Sequence, residues 1–139
     1  TSDNEGATAS AVDALARAGH CHIGFFSFHR PGFSTVAERY RSFARACERN
    51  GLADPTPYER WFENDLESDH PRFVQAIHDA LFTLLHGPRR VTAIFCVQDS
   101  LAQGVVQAAE RMGADVPRDL EVATFNDWPA MMLRSAAAM

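Results

Sequence analysis

Two pairs of polar residues mark where chemistry is easiest to place in this chain: Gln98 with Asp99, and Asn126 with Asp127. Each pair ends an apolar run of strand length, residues 91–97 and 120–125, and the two runs are joined by a helical pattern. A strand–helix–strand unit crosses over right-handedly, so both pairs arrive at one edge of a sheet. In open α/β sheets that carboxyl edge is where ligands bind. A neutral amide both donates and accepts hydrogen bonds, and a carboxylate accepts them, so the edge suits recognition of hydroxyls or of a nucleobase edge. Asp99 and Asp127 also stand where a helix needs an N-cap, and capping alone is a sufficient reason for both. Ser27, His29 and Phe33 follow the end of an earlier apolar run and either line the same edge or pack as loop.

Other chemistry finds less support. His20, Cys21 and His22 are close in sequence, but no carboxylate or further cysteine stands at metal-site spacing, and a turn histidine before a strand is the better reading. Asp65, Glu67, Asp69 and His70 are acidic surface without the glycine and spacing of a calcium loop. There is no G-x-S-x-G elbow, phosphate loop or G-x-G-x-x-G fingerprint, so the expectation is a protein that is not an enzyme and carries no cofactor or metal.

The 139 residues are 46% hydrophobic, enough for one domain with a core. Net charge is −5, and the 13 basic residues are spread through helical patterns rather than gathered in a block, so this piece alone should not bind DNA. No apolar run approaches the roughly 20 residues of a membrane span, and no signal peptide opens the chain. Cys21, Cys47 and Cys96 fall inside apolar segments at wide spacing, which reads as reduced, buried thiols in a cytoplasmic protein. The chain starts at Thr1 in mid-pattern, as a piece of something longer would.

The elements follow in order. Asp3 or Asn4 caps a helix through Ala7, Ala11, Val12, Leu15 and Ala18, closed by Gly19. Residues 22–28 form the first strand, buried on both faces, with a turn at Arg30-Pro31-Gly32. Thr35 and Glu38 are spaced as a capping box ahead of an apolar stripe of Tyr40, Phe43, Ala44 and Cys47 that ends at Gly51. A short second strand is assigned to residues 58–62. Asp69 or His70 starts a helix with Phe73, Val74, Ile77, Leu81, Leu84 and Leu85 on one side, stopping at Gly87-Pro88. The strand–helix–strand unit comes next, its helix capped by Asp99 or Ser100, carrying Ala102, Val105, Val106, Ala109 and Met112, and closed by Gly113; Pro117 lies in its return loop. Asp127 caps a further short helix through Met131 and Met132. Alternating strands and helices give a doubly wound α/β fold with a mainly parallel sheet of four to five strands.

Four stretches, in the right order and at fitting distances, resemble a known family. SDNEGATASAVDALARAGHCHIGFF, the helix carrying ERYRSF, VTAIFCVQDSLAQG and ADVPRDLEVATFNDWP together look like the effector-binding domain of lactose-repressor (LacI/GalR-type) transcription regulators. The resemblance covers nearly the whole chain and is weakest from Leu52 to Arg90. It implies two similar α/β lobes of periplasmic-binding-protein type with a ligand cleft between them. These residues would be the C-terminal lobe, a single subdomain over residues 1–139, with the DNA-reading helix-turn-helix and the first lobe lying outside it.

Family roles transfer residue by residue. Thr35 matches a helix position that often contacts the effector, and Arg39 an arginine that forks onto ligand hydroxyls or a carboxylate. On spacing alone Arg39 is one more solvated arginine beside Arg41, Arg45 and Arg49; the resemblance reverses that. Gln98 stands where the family often has Asn and Asn126 where it commonly has Asp, so neutral amides replace the usual anionic acceptor. Leu66 falls where an aromatic often stacks on the ligand, and Asp99, Asp127 and Phe33 complete the candidate wall. The implied partners are a small polar ligand of the sugar or nucleobase class, a second copy of the intact protein through the helix at residues 102–112 and the segment after Asp127, and DNA only through the missing N-terminal domain. The alternative is the sugar-binding receptor of a transport system, which shares the two-lobed fold; a flavodoxin-like or response-regulator domain would need an aspartate trio or a flavin loop that the chain lacks.

Overall fold

The computed structural model describes residues 2–29, 34–63, 65–87, 90–116 and 118–124. Among them the chain alternates helix and strand: α1 (Ser2–Arg17), β1 (Ile23–Phe28), α2 (Ser34–Arg49), β2 (Glu59–Phe62), α3 (His70–Leu85), β3 (Ala93–Cys96), α4 (Asp99–Arg111) and β4 (Glu121–Thr124). The four strands form one sheet in the order β2-β1-β3-β4, and every neighbouring pair is parallel. The doubly wound α/β reading therefore holds.

The sheet is buried on both faces because side chains alternate along each strand and helices cover both sides. Ile23 and Phe25 point into a core shared with Val12, Leu15, Phe43 and Cys47 of α1 and α2. Phe26 and Phe28 point the other way, into a core shared with Phe73, Ile77, Leu101 and Val105 of α3 and α4. Every residue of β1 is consequently buried, which explains the unbroken apolar run. On the first face the rings of Phe25 and Phe43 lie 5.0 Å apart, and Phe25 stacks on Phe95 at 6.1 Å. On the second, α3 and α4 approach closely where Gly104 leaves room for the end of the Ile77 side chain.

Helix ends follow the expected chemistry with small shifts. Gly51 adopts φ +71° and Gly113 φ +83°, where a side chain would be strained. The residue after each bonds back to the helix, Leu52 N–H to Cys47 O (2.9 Å) and Ala114 N–H to Ala109 O (2.9 Å). Asp69 caps α3, its carboxylate accepting from Arg72 N–H, and Pro71 sits in the first turn. Three expected caps move. α1 already begins at Ser2 and α2 at Ser34, ahead of Asp3 and Thr35. For α4 the capping residue is Gln98 rather than Asp99 or Ser100, and it makes no side-chain cap bond; Asp99 opens the helix, where a carboxylate is favoured by the dipole.

The strands are shorter than the apolar runs that announce them. β3 spans four residues, yet Val91 and Val97 on either side are as buried as the strand itself, because the chain stays under the helices after pairing ends. The short second strand is present as β2, preceded by a single 3-10 turn over Thr56–Tyr58. The turn at Arg30-Pro31-Gly32, the loop residue Pro117, Phe125, and the helix expected after Asp127 lie outside the described residues.

Candidate functional site

In an all-parallel sheet every strand ends at the same edge. Here that edge gathers the ends of β1, β2 and β3 and the starts of α2, α3 and α4. β1 lies between β2 and β3 although the chain visits β2 in between, so the crossovers part on either side of β1, the place where open α/β sheets bind ligands.

Side chains complete the edge where backbone pairing stops. Val97 N–H donates to Phe26 O at 3.0 Å, continuing the β1–β3 ladder one step beyond Cys96. Phe28 N–H then donates to Oε1 of Gln98, 70 positions away in sequence, at 3.2 Å. Phe28 is fully buried, so this bond forms where water does not reach. On the other side of β1, His29 N–H donates to Phe62 O at 2.7 Å.

Arg39 lies in the second turn of α2, three residues after buried Val36 and four before buried Phe43, hence on the stripe that faces the sheet. Burial lowers the pKa of its guanidinium from the ordinary value. It differs from its neighbours: Arg39 is half-buried, whereas Arg41, Arg45 and Arg49 are exposed. Asp99 is half-buried in the first turn of α4. Gln98, Asp99 and Arg39 are thus all assigned to elements that begin or end at one edge.

The other candidates separate. Leu66 is 5% exposed and belongs to the α3-side core; its surface meets a cavity of about 390 Å³ beside β2, together with Trp61, Phe62 and Arg72. Ser27, a candidate lining residue, is instead fully buried, its hydroxyl donating to Phe28 O at 3.1 Å. α2 includes Thr35, but its side chain is not among those described, and Phe33, Asn126 and Asp127 lie outside the described residues.

Sequence reasoning passed over Trp61. It is 37% exposed at the end of the edge strand, with ring contacts to Phe25 (5.5 Å), Tyr40 (5.9 Å) and, edge-on, His29 (6.4 Å). The available signal was the pairing of β2 with β1, which sets Trp61 opposite Ser27 on the α2 side. Tyr40 beside it is pushed up to about 12, first by burial and then by its hydrogen bond to the Glu59 carboxylate.

The opposite edge of the sheet is closed. His20 Nε2–H donates to Glu121 Oε1 at 3.2 Å, and its Nδ1 meets the Thr92 hydroxyl at 2.8 Å, so one ring joins the entrances to β1, β3 and β4. His22 goes elsewhere, its ring edge-on to Tyr58 at 5.7 Å. No three His, Cys, Asp or Glu side chains come together as a metal site among the described residues. All three cysteines are free. Cys47 and Cys96 are buried as expected, and burial pushes both thiols up, Cys47 to about 12. Cys21 is exposed, correcting the expectation of three buried thiols; it precedes β1 and escapes the helices that cover the strands. No helix among the described residues is long and apolar enough to cross a membrane.

Comparison with known proteins adds a context. A family model described as a periplasmic binding protein-like domain matches residues 12–137. The chain is 32% identical over 127 residues to catabolite control protein A of Priestia megaterium, covering 91% of this chain and 36% of that protein. It is 31% identical over 117 residues to the HTH-type transcriptional repressor PurR of Pectobacterium carotovorum, covering 81% of this chain and 30% of the repressor. In fold it matches a LacI-family regulatory protein from Chloroflexus aggregans with a TM-score of 0.75 at 24% identity, over 94% of this chain and 44% of the other. The chain therefore spans about a third of the length of the curated relatives it matches.

Proposed function

The chain belongs to the periplasmic binding protein-like domain family, in the form found in LacI-type transcription regulators, and from that premise we propose that it forms one wall of a small-molecule effector site. The wall is the carboxyl edge of the sheet. Arg39 and Gln98 are its principal contacts, and Asp99, Thr35, Phe33, Asn126, Asp127 and Leu66 are its further candidates. A second lobe supplies the facing wall in the intact protein, which reads DNA through a separate head, acts as a homodimer and works in the cytoplasm as a sensor rather than an enzyme. The effector is a small polar molecule of the sugar or nucleobase class.

The observation that carries this reading is the burial contrast within α2. Arg41, Arg45 and Arg49 of the same helix are exposed, whereas Arg39 is held against the face that packs on the sheet. A planar, forked donor at that position suits bidentate recognition of hydroxyls or a carboxylate. The relatives' names favour a regulator over a transport receptor.

Mechanistically, an effector bridging two lobes binds one inter-lobe angle better than another and shifts the population toward it. DNA affinity then changes by the ratio of the effector's affinities for the two states, and DNA alters effector affinity by the same factor. The test is operator binding by the intact regulator against a metabolite panel, repeated with Arg39→Ala. Loss of the response with operator affinity retained is expected. An Arg39→Ala protein that responds like the parent would contradict the assignment.

A further inference from the structure

β2 is the outermost strand of the sheet, so one flank of it has no strand beside it among the described residues. Such a flank is a template on which another chain can add a strand. The pairing with β1 fixes which backbone groups lie along it. His29 N–H donates to Phe62 O, so the polar groups of Phe62 face β1. These groups alternate in direction along a paired strand, so those of Arg60 also face β1, whereas the N–H and C=O of Glu59 and Trp61 point outward. Trp61, 37% exposed, gives that strand an apolar surface as well.

One side chain works against strand addition. Nη1 of Arg60 donates to Glu59 O at 2.7 Å and to Pro57 O at 3.0 Å. Since Glu59 O is an outward acceptor, the guanidinium curls over the flank and occupies a position that an incoming N–H would need. We propose that Arg60 is a guard on β2, and that the strand it holds off is β2 of a second copy of this chain. A two-fold pairing of identical strands is antiparallel, and outward groups must meet outward groups. Two registers satisfy this with most of both strands overlapping. In one, Arg60 stands opposite Arg60 of the second copy, and Glu59 O must accept from its Trp61 N–H. In the other, Trp61 stands opposite Trp61, Glu59 opposite Glu63, and Glu59 O must accept from the Glu63 N–H. Like charges directly opposite each other oppose pairing, and both registers need the oxygen that Arg60 already covers.

The test uses the intact regulator, followed by sedimentation velocity over a rising concentration series, with hydrogen exchange read at the Trp61 amide. Arg60→Val and Arg60→Ala each remove the charge and uncover Glu59 O; the first favours extended backbone, and the second serves where the first fails to fold. Either variant should form concentration-dependent species larger than the parent's own assembly, with exchange at Trp61 slowed at least tenfold in them. In the parent, exchange at that amide should be the same at every concentration. Parent-like sedimentation of the folded variants overturns the guard. So does larger assembly without slowing at Trp61, because the contact then lies elsewhere, and so does a parent whose Trp61 amide becomes protected as concentration rises.

Discussion

The two edges of the sheet are built from similar polar side chains, yet they are used in opposite ways. At the entering edge His20 spends both ring nitrogens on Thr92 and Glu121. Behind it, Asp13 of α1 accepts from Asn50 (2.8 Å) and Arg49 (3.3 Å), tying the first helix to the end of the second. At the leaving edge Gln98 accepts from Phe28 N–H, and Arg39 is half-buried in the second turn of α2. A network closed within the fold adds stability, whereas the leaving edge is the one we propose for effector recognition.

The largest effect should come from a residue that serves both. Phe25 is fully buried at the centre of the sheet and touches Phe43, Phe95, Tyr40 and Trp61. Phe25→Ala should cost about 3–5 kcal/mol in denaturant unfolding and weaken both edges together. If the two edges then unfold in separate transitions, they were never parts of one cooperative core.

His20→Ala should cost less, about 1 kcal/mol, since it deletes two hydrogen bonds at a site only partly closed to water. It should lower the melting temperature of the intact regulator without altering effector affinity. A changed affinity would blur the division between edges.

Acid sharpens the comparison further. Hydrogen bonding from Asn50 and then Arg49 holds the Asp13 carboxyl below its ordinary 3.8. A depressed folded pKa means that the contribution is complete above the unfolded value and is lost as pH falls through the folded one. The parent should therefore lose stability below about pH 3.8 faster than Asp13→Asn does, as unfolding curves at stepped pH would show; parallel curves would mean that the α1–α2 tie carries no weight. Smallest of all is a labelling effect. With a thiol reagent near pH 8 the native protein should react at Cys21 and spare Cys47 and Cys96, whose thiols burial holds neutral. Labelling of all three before unfolding would contradict the packing of both cores.

Much of this fold was legible in the sequence because its strongest signals are local. The continuous apolar runs at β1 and β3 announce strands buried on both faces, and Gly51 and Gly113 announce helix ends. β2 was faint because an edge strand is half-wet: Glu59 to Phe62 shows neither a continuous run nor a clean alternation. The site was legible only in part, for a physical reason. That position 98 reaches the carboxyl edge follows from topology, but its contact with the Phe28 N–H, distant in sequence, exists only after folding. Spacing did not tell Arg39 from Arg41, Arg45 and Arg49; the family resemblance did, and the helix face that meets the sheet sets it apart in the fold. Ser27 looked like a lining residue until strand pairing turned it inward, and Trp61 was hidden in the same weak segment as β2.

The most direct test sets one residue from each edge against the other in a single assay. Operator affinity of the intact regulator is measured against increasing effector for the parent, Arg39→Ala and His20→Ala. The expected result is a midpoint moved at least about tenfold by Arg39→Ala, equivalent to about 1.4 kcal/mol of lost effector binding, and not moved by His20→Ala. Equal shifts from both substitutions, or none from Arg39→Ala, would contradict the assignment of recognition to the leaving edge.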